Sequence, residues 1–406
     1  MKCMVKRDKY MKTSDTGIEE DYVPRFISGM DAVLTACTAP MIQHYQKVMH
    51  NMWKGPIYFV AGSTIEEVSK QISEVPEHFL VGEGDYSAFD GSQVPMWSVR
   101  KLQRLRRARL DVLYPQGFEA VRYQSMQTKG KTPHGLVVEL RGTMKSGASD
   151  TCLSNSQLNV EAYLFALCII NNCTLEWLLP RIRVFVMGDD NLLYRDPAVQ
   201  VSRPGIDLKS VMRDLGLELK YKDVERGKEF FLNMRMMPSS RGPMLGCLPG
   251  RVITRLCSTV QNVPYKHRKG FVYEIAYCMM ATTGHVPVIR EFLQRLIDLT
   301  GRSENKVSGV NPKTGKPYVA GENRNYHRLR LSPSGEPLNL SAAARAHLEW
   351  QHKLHPSGRA DPTTESLGVL AGFYGMEPER LSKLQKYLSS VEIDELLVDD
   401  TLREMA

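Results

Sequence analysis

The sequence predicts a mixed α/β fold of the α+β kind, and three observations carry that expectation. In residues 181–195, RIRVFVMGDDNLLYR, Ile182, Val184 and Val186 alternate with Arg183, Phe185 and Met187, the period of a strand. Gly188 then permits a tight turn and residues 192–194 resume an apolar return strand, so Asp189 and Asp190 sit at the tip of a hairpin. In residues 206–215, Leu208, Val211, Met212 and Leu215 recur at helical spacing, Gly216 suits the stop, and residues 217–222 alternate again as a strand. Helical spacing dominates residues 268–299 through Val288, Phe292, Leu293, Leu296 and Ile297. Strand and helix patterns therefore interleave along the chain.

At 406 residues the chain has room for two or three packed subdomains. A content of 42% hydrophobic and 24% charged residues argues against disordered and fibrous classes. The net charge of +8 suits a polyanionic partner. The eight cysteines include no C-x-x-C pair and no Cys/His cluster at zinc spacing, which points to free thiols in a reducing compartment. No apolar run reaches the about 18 residues that span a bilayer, and no signal-peptide pattern opens the chain. On a membrane, the chain would need something else to take it there.

Taken in order, residues 1–30 carry Lys2, Lys6, Lys9 and Lys12, then Arg25 between Pro24 and Phe26. They read either as a charged tail or as cations lining a channel for phosphates. Residues 31–55 predict a helix with Ile42, Tyr45, Val48 and Met49 on one face, and residues 63–72 a second helix, opened by Ser63-Thr64 with Glu66-Glu67 following. In residues 78–93, HFLVGEGDYSAFDGSQ, a strand ends near Asp85 and Asp90 follows five residues later. An odd spacing puts the two on opposite faces of a continuous strand, so they share a site only if the chain turns between them, as Gly91 and Ser92 suggest. Residues 100–109 hold six Lys/Arg with Leu102 and Leu105 at helical spacing, a solvated face or an RNA contact. Residues 121–141 suggest a hairpin around Lys129-Gly130-Lys131.

In residues 145–159, KSGASDTCLSNSQLN, Ser146-Gly147 makes a small-residue loop and Ser149 and Asp150 suit the start of a helix. Thr151 and Asn155 then stand four apart on one face and need hydrogen-bond partners if buried, either a ribose hydroxyl or nearby backbone. Residues 230–237 and 244–248 form a hairpin; on the strand before it, Glu218, Lys220 and Lys222 share the polar face. Residues 301–341 read as a basic linker, and residues 392–404 are acidic.

Alone, Gly-Asp-Asp is equally a polar hairpin tip, where Asp is common, or a metal site in which a divalent cation relieves the repulsion of paired carboxylates. Its context decides. DYSAFD (Asp85, Asp90), SGASDTCLSN (Ser146, Gly147, Thr151, Asn155) and MGDDN (Gly188, Asp189, Asp190) occur in that order. This set resembles motifs A, B and C of the RNA-dependent RNA polymerases of positive-strand RNA viruses, with a tombusvirus-like or nodavirus-like flavour. The core of the resemblance covers about residues 78–195; Pro24-Arg25-Phe26-Ile27 looks like the end of motif F, 206–222 like motif D and 229–248 like motif E.

The resemblance implies a right-hand fold: residues 1–77 part of the fingers, 78–95 palm, 96–134 a fingers insertion, 135–250 palm, and 251–406 a helical thumb and tail. The palm would be an antiparallel sheet backed by helices. The fingers ahead of motif F are shorter than in the family, so they are expected to be incomplete, the rest lying in a longer chain or an upstream viral replication protein. Asp85 and Asp189 would bind two Mg²⁺ ions, with Mn²⁺ able to substitute, and Asp190 would tune them. Asp90, Thr151 and Asn155 would read the 2′-hydroxyl, Ser146-Gly147 would form a mobile loop, and Arg25 with Lys6 or Lys9 would neutralise the triphosphate. Lys222 or Lys220 would protonate pyrophosphate. The implied partners are RNA template and product and NTPs; the implied place is the host cytoplasm, at membrane-associated replication complexes. Two other classes stay open: a polymerase-shaped RNA-binding subunit that needs an upstream protein, and a reverse transcriptase, which the Asp90/Asn155 pair disfavours.

Overall fold

The computed structural model describes residues 2–5, 26–132, 135–256, 268–301, 309–310, 317–318 and 360–390. They fall into two compact units, one of residues 1–63 and 74–232, the other of residues 64–73 and 233–406. Lys6, Lys9, Arg25, residues 392–404 and most of 301–341 lie outside the described residues.

In the first unit the chain runs β1 (Lys2–Val5), β2 (Phe26–Gly29), α1 (Ala32–Met52), β3 (Ile57–Phe59) and, past α2 (Ile65–Ser73) of the second unit, β4 (Leu80–Tyr86). Then come α3 (Phe89–Ser92), α4 (Pro95–Arg107), α5 (Leu110–Leu113), α6 (Pro115–Met126), β5 (Gln127–Lys131) and β6 (Val137–Arg141). The unit closes with α7 (Thr151–Asn171), α8 (Leu175–Leu178), β7 (Ile182–Met187), β8 (Asp190–Arg195), β9 (Ser202–Arg203), β10 (Ile206–Asp207), α9 (Leu208–Asp214), β11 (Leu219–Val224) and β12 (Phe230–Phe231).

The central sheet has the order β11-β4-β8-β7-β3. Its first four strands pair antiparallel, as expected, while β3 joins β7 in parallel and makes the sheet mixed. Strand β7 is buried on both faces: Ile182, Val184 and Val186 join the core cluster with α7, and Phe185, on the opposite face, stacks on Tyr58. Helix α7 is buried on most sides, through Leu158, Tyr163, Ala166, Leu167 and Ile170. Leu158, Leu167 and Ile170 each contribute about 1.5–3 kcal/mol of burial, which fixes α7 firmly against the sheet. A second sheet, β2-β1-β5-β6, stands apart.

Several local expectations shift. Val48 is more than a third exposed, because a stripe through Ile42, Tyr45 and Met49 leaves it on the flank. Lys129-Gly130-Lys131 lies within β5, and past its end Thr132 N donates to Leu136 O and Gly135 N to Thr132 O. The chain turns after Asp85 at Ser87 and Ala88, the latter at φ 51°, while Gly91 and Ser92 belong to α3. Residues 206 and 207 precede α9, where Asp207 and Ser210 form a capping box. The basic helix α4 is no uniform solvated face: Arg100 and Arg104 pair with Glu161, and Lys101 with Asp150.

In the second unit, Thr64 and Glu67 cap α2 reciprocally, and residues 64–73 pack there rather than with the preceding residues. The hairpin β13 (Met234–Met237) and β14 (Met244–Cys247) forms as expected. The helices α10 (Pro249–Leu256), α11 (Arg268–Thr283) and α12 (Ile289–Gly301) follow, then helices at Thr364–Tyr374 and Pro378–Ser390. Among the described residues no single helix is long and apolar enough to cross a membrane.

Candidate active site

The site forms at one end of the central sheet. Register sets its first row: Lys220 lies opposite Asp85, Gly84 opposite Asn191, and Met187 opposite Asp190. Continued by one residue, the β4–β8 pairing puts Asp85 beside Asp190. The row across the sheet is therefore Lys220, Asp85, Asp190, Met187, with neighbouring Cα atoms about 5 Å apart. Asp189 occupies the two-residue turn with Gly188, whose φ of 69° suits the first position of a primed hairpin turn. Asp85 and Asp189 are exposed. Lys222, two residues along the same face of β11, is bound to Glu83 at 2.8 Å. Register thus separates two lysines that the sequence leaves equivalent.

The turn is held from below by α7. Gly188 N donates to Ser156 Oγ at 2.8 Å, and Asn159 Nδ2 donates to Gly188 O at 3.2 Å and Asp189 O at 3.0 Å. Asn159 Oδ1 accepts from Tyr86 Oη and Asn191 Nδ2. Tyr86 follows Asp85 in β4, so one buried amide ties both carboxylate-bearing segments together. Burial, with Asp189 nearby, pushes the Tyr86 phenol well above its ordinary value, which keeps it a neutral donor.

A second network joins motifs A and B. Asn155 Nδ2 donates to Asp90 Oδ1 at 2.7 Å, and Gln93 Nε2 donates to Asn155 Oδ1 at 2.8 Å. Burial raises the Asp90 carboxyl above its usual value; the Asn155 hydrogen bond opposes this, and the charges of Asp189 and Asp150 add to it. Thr151 turns its hydroxyl to Lys145 O and Ala148 O, the backbone partner rather than the open one.

The loop expected to be mobile is tied at several points. Gly147 N donates to Ser28 O, and Ser28 N donates to Ser146 Oγ. A Cβ on Gly147 would lie 2.3 Å from Ser28 O, so glycine is required by close backbone approach. Ser149 Oγ shares a hydrogen bond with Thr38 Oγ1. Asp150 accepts from Lys101 Nζ and Ser154 Oγ, each at 2.9 Å. Burial raises the Asp150 carboxyl, but Lys101 and these hydrogen bonds outweigh it and hold it below the usual value.

The structure thus brings together Asp85, Asp189, Asp190, Asp90 and Asn155, and places Ser146 and Gly147 in the adjoining loop, with Thr151 in the first turn of α7. Sequence reading misses Gln93, Ser156 and Asn159. The row Thr151, Asn155 runs on by four residues to Asn159, the signal that would have found it. Among the described residues no group of three or more His, Cys, Asp or Glu side chains forms a ready-made metal cage. The carboxylates still suit Mg²⁺, which keeps several waters and takes one or two carboxylates with substrate phosphates.

A family model described as RNA-dependent RNA polymerase matches residues 1–226, more than half of the chain. Among solved structures, the chain is similar to the RNA-dependent RNA polymerase of a human picobirnavirus at 14% identity and a TM-score of 0.50, covering 68% of this chain and 51% of that one. It is similar also to an insertion-loop deletion mutant of that enzyme, at 14% identity and a TM-score of 0.51, covering 68% and 53%. At this identity the likeness is one of fold, and the chain spans about half the length of these structures. No curated protein sequence matches the chain.

Proposed function

This chain belongs to the RNA-dependent RNA polymerase family, and from that premise we propose that it carries out template-directed RNA synthesis in viral genome replication and transcription. In this reading the 3′-hydroxyl of an RNA strand attacks the α-phosphorus of a nucleoside triphosphate. The new O–P bond forms as the bond to pyrophosphate breaks. The observation that carries the reading is the row of Lys220, Asp85 and Asp190 next to the Asp189 turn.

Like charges side by side on a sheet repel, so Asp85, Asp189 and Asp190 would hold a divalent cation that stabilises the row. Two such ions, Mg²⁺ or in its place Mn²⁺, would supply Lewis-acid chemistry there, lowering the pKa of the attacking hydroxyl and offsetting charge on the leaving pyrophosphate. Asp90 and Asn155 present an acceptor and a donor to a ribose 2′-hydroxyl, which does both. Thr151 holds the loop through its backbone bonds. Lys220 is assigned the proton for pyrophosphate, because Lys222 is engaged by Glu83 while Lys220 stands across from Asp85. Arg25 and Lys6 are assigned to the triphosphate by resemblance alone, with RNA template, RNA product and NTPs as the partners.

Extension of a primed RNA template in Mg²⁺ tests this. Asp189→Ala should lower incorporation by about a thousandfold or more, the scale of losing a group that acts in the transition state, with RNA binding kept. A wild-type chain that binds RNA but incorporates nothing, even with an upstream viral protein supplied, would overturn the reading. A preference for deoxynucleotides would make it a reverse transcriptase.

A further inference from the structure

We propose that Gln93 is a positioning residue for sugar selection, fixing which way the Asn155 amide faces; this rests on the polymerase reading above. Gln93 lies at the C-terminal end of α3, in the two-residue link before Pro95 opens α4. Only 6% of its surface and 4% of that of Asn155 are exposed. Both helices flanking Gln93 therefore hold its backbone while its side chain reaches the interior.

The polarity of the network follows from its charged end. An ionised carboxylate only accepts hydrogen bonds, so Asp90 Oδ1 requires the NH₂ end of Asn155, at 2.7 Å. Asn155 Oδ1 is then left facing Gln93, where only a donor satisfies it, and Gln93 Nε2 supplies that donor at 2.8 Å. Solvent is a poor replacement, because both side chains are almost wholly buried. An acceptor at position 93 would favour the reversed amide. Asn155 would then offer an oxygen where the sugar site needs an N–H, and set it against the Asp90 carboxylate.

The 2′-hydroxyl is recognised by a donor and an acceptor together, so reversal should penalise ribose and leave deoxyribose untouched. Gln93→Glu keeps the shape and inverts the polarity; Gln93→Leu only removes the donor and keeps the test open if the buried carboxylate unfolds the chain. The readout is the ratio of kcat/KM for ATP over dATP in primer extension by the full chain. Gln93→Glu should lower it about a hundredfold and Gln93→Leu about tenfold, with dATP turnover within about twofold of wild type. Equal losses with both nucleotides, or ratios unchanged in both variants, would overturn the proposal and leave Gln93 a packing residue. Equilibrium binding of ATP and dATP separates this from the polymerase reading. A chain that incorporates nothing fails as a polymerase, yet a ribose preference in binding that Gln93→Glu abolishes still supports the role of Gln93. A wild-type chain with no ribose preference in either measurement overturns it.

Discussion

The turn at Gly188 and Asp189 and the loop at residues 145–150 both rest on α7, yet different chemistry holds them. At the turn the anchors are neutral: the Ser156 hydroxyl and the Asn159 amide, both fully buried. At the loop they include charges. Lys101 and Asp150 form an ion pair with side chains 9% and 3% exposed, and the Lys145 ammonium is buried beside them. Neutral hydrogen bonds add no net charge next to the Asp189 carboxylate, so they set its position without changing what it attracts. The loop ions do act on their surroundings: Asp150 contributes to raising Asp90. The carboxylate turn is thus held by geometry, and the loop by a field that charge and pH can alter.

Removing the neutral clamp should have the largest effect on stability. Asn159→Ala leaves Gly188 O, Asp189 O, Tyr86 Oη and Asn191 Nδ2 without this partner. At about 1–3 kcal/mol for each buried group left unpaired, partly relieved by relaxation, a loss of about 4 kcal/mol is expected in urea denaturation. Primer extension should fall with it; a loss under about 1 kcal/mol would show that the clamp is incidental. The ionic anchor should answer differently. Lys101→Met strands a buried carboxylate and should cost about 3 kcal/mol, whereas Lys101→Met with Asp150→Leu should recover most of that. A double variant as unstable as the single one would mean that the pair is not acting as a pair.

How much of this is legible in the sequence follows the same division. The hairpin of residues 181–195 is legible because period and turn glycine are local. So is the Thr151/Asn155 face, which needs only helical spacing. The choice between Lys220 and Lys222 is not legible, because it depends on a pairing between β11 and β4 across more than a hundred residues. The basic run at residues 100–109 misleads for a related reason. Its partners Asp150 and Glu161 come from a distant stretch, and nothing local says that they lie against α4. Asn159 lies between these cases: its row is visible on the helix, but its task appears only when the turn is brought to it.

Two smaller effects sharpen the contrast at the loop. Gly147→Ala puts a Cβ against Ser28 O, and the backbone must move apart, at about 2 kcal/mol, the middle of the range for overpacking. Extension should fall about tenfold if the loop must hold this shape for nucleotide to bind, less than the roughly hundredfold that a 1 Å misplacement can cost. The smallest effect is in pH. Burial, then the neighbouring Lys101 cation, push the Lys145 ammonium down to about 8, with Asp150 opposing. Its folded value is therefore below its unfolded one, and between about pH 8 and 10.4 the unfolded chain binds a proton that the folded chain has shed. Stability contributed at this site must rise with pH through that window, by about 1 kcal/mol between pH 7 and 9. Other groups titrate there too, so the measurement is the difference between wild type and Lys145→Met, which cannot titrate. That difference should shift in favour of wild type as pH rises, while the difference between wild type and Asn159→Ala stays flat, because the amide clamp carries no titrating charge. Parallel curves for wild type and Lys145→Met would remove the ionic half of the comparison.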